Sequence, residues 1–165
     1  MSIRNNRFVG AFVLSLLCAG GASAAELATK TALTLEVAKV LSAASEAEAS
    51  KNNWSVVIAI VDDGGRLLHL VRRDGTQIAS VDVAQGKARS AVGFKRPTKV
   101  LEDTIAGGRN AMLGIEGLTP VQGGLPLVVN GETIGAVGVS GVTSQQDEQV
   151  AAAAVAALGQ FAKKS

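Results

Sequence analysis

One segment of the sequence, residues 123–141, limits the possible folds more than any other. Asn130-Gly131 stands between two apolar runs, and this pair favours a two-residue β-turn because both residues accept a positive φ. A hairpin of two antiparallel strands is therefore predicted. The returning strand carries Gly135 and Gly138 where packed strands usually have large side chains. Glycine at such positions indicates that either a packed helix or a flat ligand comes close to the strand.

The first 24 residues have the features of a secretory signal peptide. Arg4 and Arg7 give a positive start, a short apolar run follows, and Ala22-Ser23-Ala24 supplies the small residues that a signal peptidase accepts. The apolar run is too short to span a membrane. We expect cleavage near Ala24, a single mature domain of residues 25–165, and a periplasmic or secreted location.

Removal of this leader leaves a nearly neutral chain. Two of the 16 Lys and Arg lie in the leader, so 14 remain against 14 Asp and Glu, and no overall positive field for nucleic acid is left. The single cysteine, Cys18, is also in the leader. In a lipoprotein this cysteine would carry the lipid anchor, but bulky Leu17 precedes it where a small residue is expected. We therefore predict a mature domain without disulfides, held together by packing.

The order of the predicted elements is that of an α+β domain. Hairpins joined by helices predict a mainly antiparallel sheet. The strand at 54–61 is apolar on both faces, which predicts a central position with cover on both sides. Residues 109–122 are ambiguous between a loop and one more strand. The remaining predicted elements are a helix from Thr34 to Asn52, a second strand at 66–73, helices at 78–94 and 98–106, and a last helix from Ser144 with Asp147 as its capping-box partner.

Motifs for common catalytic chemistry are missing from the sequence. Its glycine pairs lie in predicted hairpins and loops, away from any phosphate-binding strand-to-helix turn. Ser140 is not part of a G-x-S-x-G elbow, and a single histidine is available as a base. We therefore predict no catalytic residue.

His69 is the residue best suited to bind a metal. On its strand it shares a face with Leu67 and Val71, and a neutral imidazole among apolar neighbours can ligate haem iron. The alternative is a histidine satisfied by a backbone group or buried at a subunit contact. Met112 is the other possible soft ligand, with core filling as its alternative role.

The middle of the chain is locally basic, which favours a carboxylate ligand. Haem propionates or a small organic acid would be attracted there by charge-assisted hydrogen bonds, although a solvated helix face also explains any single basic residue. Arg73 and Lys87 are the strongest candidates because both lie near the Asp74-Gly75 turn. The basic residues are Arg66, Arg72, Arg73, Lys87, Arg89, Lys95, Arg96, Lys99 and Arg109.

Several short motifs follow one another in a specific order and spacing. They are Val61-Asp62-Asp63-Gly64-Gly65, Arg73-Asp74-Gly75, Gln85-Gly86-Lys87-Ala88 with Thr98 after it, Gly123-Gly124-Leu125-Pro126, Asn130-Gly131, residues 135–141 and Asp147-Glu148. Together they make the mature chain resemble the GlcG/HbpS family of haem-binding proteins along nearly its whole length. The chain departs from the family's common Arg-Met-Asp-Gly, because Arg73 replaces the methionine.

The resemblance implies both a fold and a function. The implied fold is a profilin-like three-layer α-β-α domain, with a sheet of about five strands and assembly into homo-oligomers such as dimers or rings. The implied function is that of an exported haem-binding protein in haem or iron handling or sensing, with a sensor protein as a partner. Whether the chain is an enzyme stays open.

The resemblance and the chemistry of the residues together give the candidate site. Two other functions are alternatives to haem binding. In the first, Lys87 and Arg73 bind a small hydroxy acid, or the protein converts it with Asp74 as base. In the second, the protein is a ring-forming partner of another exported protein. The candidate metal ligand is His69, and the candidate cofactor-binding residues are Arg73, Asp74, Lys87, Thr98, Gly124, Gly135 and Gly138.

Overall fold

The computed structural model describes residues 25–161, which contain four α-helices, four strands and two short 3-10 turns. In chain order the elements are α1 (Leu35–Lys51), β1 (Val57–Asp62), β2 (Leu67–Arg72), α2 (Ser80–Phe94), α3 (Thr98–Ala106), a 3-10 turn (Asn110–Gly114), β3 (Gly124–Val129), β4 (Glu132–Ser140), α4 (Ser144–Leu158) and a 3-10 turn (Gly159–Phe161). The predicted signal peptide, residues 1–24, lies outside the described residues.

The four strands form one antiparallel sheet in the order β2-β1-β4-β3. Helices α1 and α4 pack on one face, and α2 packs on the other with α3 beside it. The predicted α+β class and the three α-β-α layers are confirmed. The predicted central position of β1 is also confirmed, because β1 pairs with both β2 and β4.

The sheet has four strands within residues 25–161, fewer than the five expected. The ambiguous segment 109–122 forms a 3-10 turn and a loop. Its Gly117 has a positive φ of 75°, and the backbone N–H of Thr119 donates to Oγ of Ser90 on α2 at 2.8 Å. The segment therefore packs against a helix, away from the edge of the sheet.

Local turn and cap signals in the sequence are largely confirmed. The Asn130-Gly131 turn joins β3 to β4, with φ values of 50° and 81°. Thr34 caps α1, because its side chain accepts a hydrogen bond from the backbone N–H of Val37 at 3.3 Å.

The start of α4 differs from the prediction by one residue. Thr143 is the N-cap, and Gln146 completes the capping box that was predicted for Ser144 and Asp147. Successive residues of an α-helix point about 100° apart, so this shift directs Asp147 to a different side of the helix from the capping position. Its carboxylate is consequently inside the protein, where only 2% of the residue is exposed.

A bulge in β2 changes which neighbours His69 has. Opposite β1, His69 pairs with Ile60 while Leu67 pairs with Val61. Neighbouring residues of β1 face opposite sides of the sheet, so His69 and Leu67 lie on opposite faces, contrary to the prediction. His69 is on the side of α1 and α4, because Ile60 belongs to the core between the sheet and those helices.

Close packing of α2 explains why β4 carries a glycine at position 138. A Cβ atom added at Gly138 would lie 2.1 Å from the carbonyl oxygen of Ala84 and 2.6 Å from the backbone nitrogen of Ala88. On β3, a Cβ atom at Gly124 would lie 2.5 Å from the carbonyl oxygen of Lys87. The space beside both glycines is therefore filled by the backbone of α2.

Gly135 lies against different neighbours. A Cβ atom there would be 2.4 Å from the carbonyl oxygen of Val61 and 2.8 Å from a methyl carbon of Leu33. Of the two explanations given for Gly135 and Gly138, a packed helix and a flat ligand, the structure shows the packed helix at Gly138, whereas Gly135 lies against β1 and Leu33.

The first prediction concerns this backbone contact. Gly138→Ala is expected to lower the free energy of unfolding by about 3 kcal/mol, because the new methyl group meets backbone atoms that cannot move without shifting α2. Gly93→Ala is the control: Gly93 lies in α2 with no atom within 4 Å of the added Cβ, so it should stabilise the protein by roughly 0.5 kcal/mol. Urea unfolding measures both changes. Equal stability of the two variants would contradict the role assigned to Gly138.

Candidate functional site

The side chain of Lys87 passes from α2 into the interior and ends among buried polar groups. Its ammonium donates to the carbonyl oxygen of Val139 on β4 at 2.9 Å and to Oδ2 of Asp147 on α4 at 2.8 Å. Side-chain exposure is 2% for Lys87 and 3% for Asp147. The pair therefore links a helix on each face of the sheet to a central strand.

Asp147 is held by more than the lysine. Its Oδ1 accepts a hydrogen bond from the backbone N–H of Val142 at 3.1 Å, just before α4 begins. Burial raises the pKa of the Asp147 carboxyl above its ordinary value, and the hydrogen bond from Lys87 opposes this rise. Gly123 leaves room for the pair, because a Cβ atom there would lie 2.9 Å from the lysine Nζ and 2.9 Å from Cβ of Asp147.

This arrangement changes the role expected of Lys87. The sequence suggests that its ammonium binds an external carboxylate near the Asp74-Gly75 turn. In the structure the ammonium binds an internal carboxylate and is almost fully buried. An external acid would have to enter the core and displace Asp147, so the geometry does not support Lys87 as a ligand-binding residue.

Arg73 and Asp74 lie at the surface, beyond the end of β2. The guanidinium of Arg73 donates to Oγ of Ser50 at 2.8 Å and to the carbonyl oxygen of Glu46 at 3.2 Å, both on α1. Together with Arg72 and Gly75, these two residues line an open depression of about 330 Å³. Arg73 thus shares no binding partner with Lys87, and the two cations of the predicted acid site are directed to different helices.

Thr98 is fully buried and holds the start of β3. Its Oγ1 accepts a hydrogen bond from the backbone N–H of Gly124 at 2.9 Å. Thr98 is the first residue of α3, as the predicted helix at 98–106 has it, and its side chain bonds to the neighbouring strand. The hydroxyl is therefore engaged within the protein rather than directed at a ligand.

His69 is half-buried on β2, an edge strand of the sheet. Within residues 25–161 it pairs with Ile60 of β1, on the face of the sheet covered by α1 and α4. The same part of the chain has no group of three or more His, Cys, Asp or Glu side chains placed to hold a metal ion. Its role as a ligand stays a prediction.

A second depression lies beside the end of α2, where α3 and the 3-10 turn at Asn110–Gly114 also line it, and we call it the α2–α3 cleft. Its volume is about 300 Å³. It combines aliphatic and aromatic side chains, two guanidinium groups and a thioether. The lining residues are Phe94, Arg96, Leu101, Thr104, Arg109, Met112 and Ile115.

Sequence analysis picked out some residues of the α2–α3 cleft for two separate reasons, but it did not predict that they lie together. Arg96 and Arg109 belong to the basic stretch, and Met112 was noted as a soft ligand. They are up to 16 positions apart, and the fold of α3 and the following 3-10 turn brings them to one cleft. Phe94, Leu101 and Ile115 were missed because nothing in their spacing distinguishes a cleft from a core.

The two possible soft iron ligands are not brought together. His69 lies on the face of the sheet covered by α1 and α4, whereas Met112 lies in the α2–α3 cleft beyond the other face. The sheet lies between them, so the structure does not bring the two candidate ligands to one site.

Comparison with known proteins identifies the family. A family model described as haem-degrading protein HbpS-like matches residues 33–156. This chain belongs to the HbpS-like family. Protein GlcG of Escherichia coli K12 is 47% identical over 112 residues, which cover 68% of this chain and 84% of GlcG.

Solved structures of similar proteins share the fold. The crystal structure of HbpS has a TM-score of 0.76 and 35% identity, covering 81% of this chain and 95% of that chain. The crystal structure of a PduOC:heme complex has a TM-score of 0.71 and 29% identity, covering 77% of this chain and 95% of that chain. The predicted GlcG/HbpS relationship is therefore confirmed.

In this HbpS-like chain, the motif Gln85-Gly86-Lys87-Ala88 has a packing role at three of its positions. Gly86 lets the loop after the 3-10 turn approach α2, since a Cβ atom there would lie 2.2 Å from Oγ1 of Thr119. Lys87 forms the buried ion pair, and Ala88 packs against Gly138, which has no side chain. The motif thus identifies the fold more directly than it identifies a ligand.

The second prediction tests the buried ion pair. Lys87→Met and Asp147→Asn should each lower the free energy of unfolding by about 3–5 kcal/mol, because each removes the partner of a buried polar group. The double variant should lose less than the sum of the two. Urea unfolding of the four proteins gives the coupling between the residues.

The control for this cycle is Lys99→Met, which removes the exposed ion pair with Asp103 on α3. Solvent screens that pair, so the substitution should change stability little. Additive losses at positions 87 and 147 would show that the two side chains do not stabilise each other.

Proposed function

We propose that this protein is an exported haem-binding protein that takes part in haem or iron handling. The observation that carries the proposal is its similarity to PduOC, whose crystal structure is that of a haem complex. The description of the family model as haem-degrading protein HbpS-like supports the same ligand. Haem binding is what the two findings have in common.

The residues of this chain fit such a ligand in chemical type. A haem site needs apolar surface for the flat macrocycle, cations for the propionates and a soft or nitrogen ligand for the iron. The α2–α3 cleft offers Met112 as a ligand and Arg96 and Arg109 as cations beside its apolar side chains, whereas His69 lies on the other side of the sheet. Bound haem would add an iron centre capable of redox chemistry.

Export is the other part of the proposal, and the sequence supports it. The positive start, the short apolar run and Ala22-Ser23-Ala24 have the order of a signal peptide. The mature domain has no cysteine, so its stability does not depend on the redox state of its compartment. Within residues 25–161, every helix is too short or too polar to serve as a membrane-spanning segment. A homo-oligomer and a sensor partner remain predictions from the resemblance.

The geometry gives less support to a site for a small hydroxy acid. That alternative requires Lys87 and Arg73 to hold one carboxylate, with Asp74 beside them. Lys87 instead pairs with Asp147 in the core, while Arg73 bonds to α1 at the surface. The role as a ring-forming partner of another exported protein has no specific contact in a single chain to support it.

The third prediction is haem binding by the mature domain. Titration of residues 25–165 with haemin at micromolar concentration should give a saturable shift of the Soret band, because the protein replaces water around the macrocycle and the iron. Millimolar glycolate or lactate should leave the melting temperature unchanged, since a ligand that does not bind the folded state cannot stabilise it.

Two results would count against the proposal. A linear, unsaturable absorbance change would indicate haemin aggregation without a site. A rise in melting temperature with hydroxy acids and none with haemin would favour the small-acid alternative.

A further inference from the structure

The α2–α3 cleft contains two cations that the rest of the described protein does not neutralise. Within residues 25–161, neither Arg96 nor Arg109 forms an ion pair with a carboxylate. The Nε of Arg96 donates to the carbonyl oxygen of Phe94 at 3.1 Å, which leaves its two terminal nitrogens available. Both arginines are exposed, so an anion from solvent can reach them.

Apolar side chains and the partly exposed Thr104 line the same cleft as these cations. Leu101 is 1% exposed, and Phe94 and Met112 are half-buried. Ile115 adds an aliphatic side chain that is 43% exposed. Apolar surface flanked by guanidinium groups matches a ligand that is hydrophobic over most of its area and carries carboxylates at one side.

The walls of the cleft are held in place by the scaffold. Behind the 3-10 turn, the loop is fixed to α2 by the hydrogen bond from the N–H of Thr119 to Ser90 and by its close approach at Gly86. On α3, the carboxylate of Glu102 accepts a hydrogen bond from the N–H of Gln122 at 2.6 Å. These contacts fix the backbone of the loop that follows the 3-10 turn, which limits part of the ordering cost of binding.

From this combination we infer that the α2–α3 cleft binds the carboxylate-bearing edge of a porphyrin, with Arg96 and Arg109 each pairing with a propionate. This inference rests on the proposed function and adds the place of the ligand. A volume of about 300 Å³ is at the small end for ligand pockets, so the cleft accommodates one edge of the macrocycle while the rest extends beyond it.

A porphyrin in the α2–α3 cleft would lie apart from the predicted iron ligand His69. The imidazole lies on the other side of the sheet from the α2–α3 cleft. A porphyrin held by Arg96 and Arg109 therefore does not reach His69 of the same chain. His69→Ala should leave the affinity for iron-free protoporphyrin unchanged.

The fourth prediction tests the two arginines with that iron-free probe. Binding of protoporphyrin IX is followed by its fluorescence. The double variant Arg96→Gln, Arg109→Gln should bind about 100-fold more weakly, because removing each charge-assisted hydrogen bond weakens binding about tenfold. Protoporphyrin IX dimethyl ester, which has no free carboxylates, should bind equally to the variant and to the unsubstituted protein.

The matched control is Arg66→Gln, Arg89→Gln, which removes the same charge from exposed arginines outside the α2–α3 cleft. It should bind protoporphyrin as the unsubstituted protein does, and the melting temperatures of all variants should agree. An equal loss of affinity in the control would show a general charge effect and overturn the inference.

The outcomes distinguish this inference from the proposed function. If the unsubstituted protein binds neither haemin nor protoporphyrin, the proposed function fails and the cleft assignment fails with it. If haemin and protoporphyrin bind with full affinity to the Arg96→Gln, Arg109→Gln variant, the cleft is not the site and the proposed function stands. Loss of protoporphyrin affinity in His69→Ala would also overturn the assignment.

Discussion

The ion pair between Lys87 and Asp147 joins all three layers of the protein. Lys87 starts on α2, contacts the carbonyl oxygen of Val139 in the sheet, and reaches the carboxylate at the start of α4 on the opposite face. A buried ion pair is weak evidence for high stability, because removing both charges from water is costly. Its clearer effect is geometric, since the charges are satisfied in one relative position of α2 and α4.

That position depends on how closely α2 approaches the sheet. The absence of side chains at Gly124 and Gly138 lets the helix backbone contact the strands directly, and Gly123 leaves space for the lysine ammonium. The α2 side of the core is accordingly built from small residues, including Ala84 and Ala88, whereas the α1 and α4 side contains most of the large aliphatic ones. The glycines of β3 and β4 and the buried Lys87–Asp147 ion pair thus both depend on the close approach of α2 to the sheet.

The same packing places the proposed ligand site away from the glycines. With the backbone of α2 against the sheet at Gly124 and Gly138, no flat surface is left between the helix and the strands there. The α2–α3 cleft forms instead beside the end of α2, with α3 and the 3-10 turn as its other walls. Its arginines come from residues that follow helices α2 and α3, where side chains can reach solvent without entering the core. The residues that stabilise the packing of α2 are therefore largely different from the residues that line the proposed ligand site.

Much of the fold could be read from local signals in the sequence. Thr34 and the Asn130-Gly131 turn predicted a helix start and a hairpin, because capping and positive φ are decided within a few residues. The apolar strand at 54–61 predicted a central position, because burial on both faces requires hydrophobic side chains on both faces. The segment 109–122 was harder, since its choice between a strand and a loop depends on which distant element it meets.

The candidate site was much less predictable, for the same physical reason. The sequence correctly established the chain's family, the small number of groups able to bind iron, and the presence of a basic stretch. It did not show which cations are free, because that depends on contacts between residues far apart in the chain. Because Thr143 and Gln146 form the capping box, the Asp147 carboxylate is not needed there, and it accepts a hydrogen bond from the buried ammonium of Lys87 at 2.8 Å. Folding also separated His69 from Met112 and brought Met112 to Arg96 and Arg109. Composition and local spacing thus specify the elements and the available chemistry, whereas the packing of helices on the sheet specifies which side chains meet each other and which meet solvent.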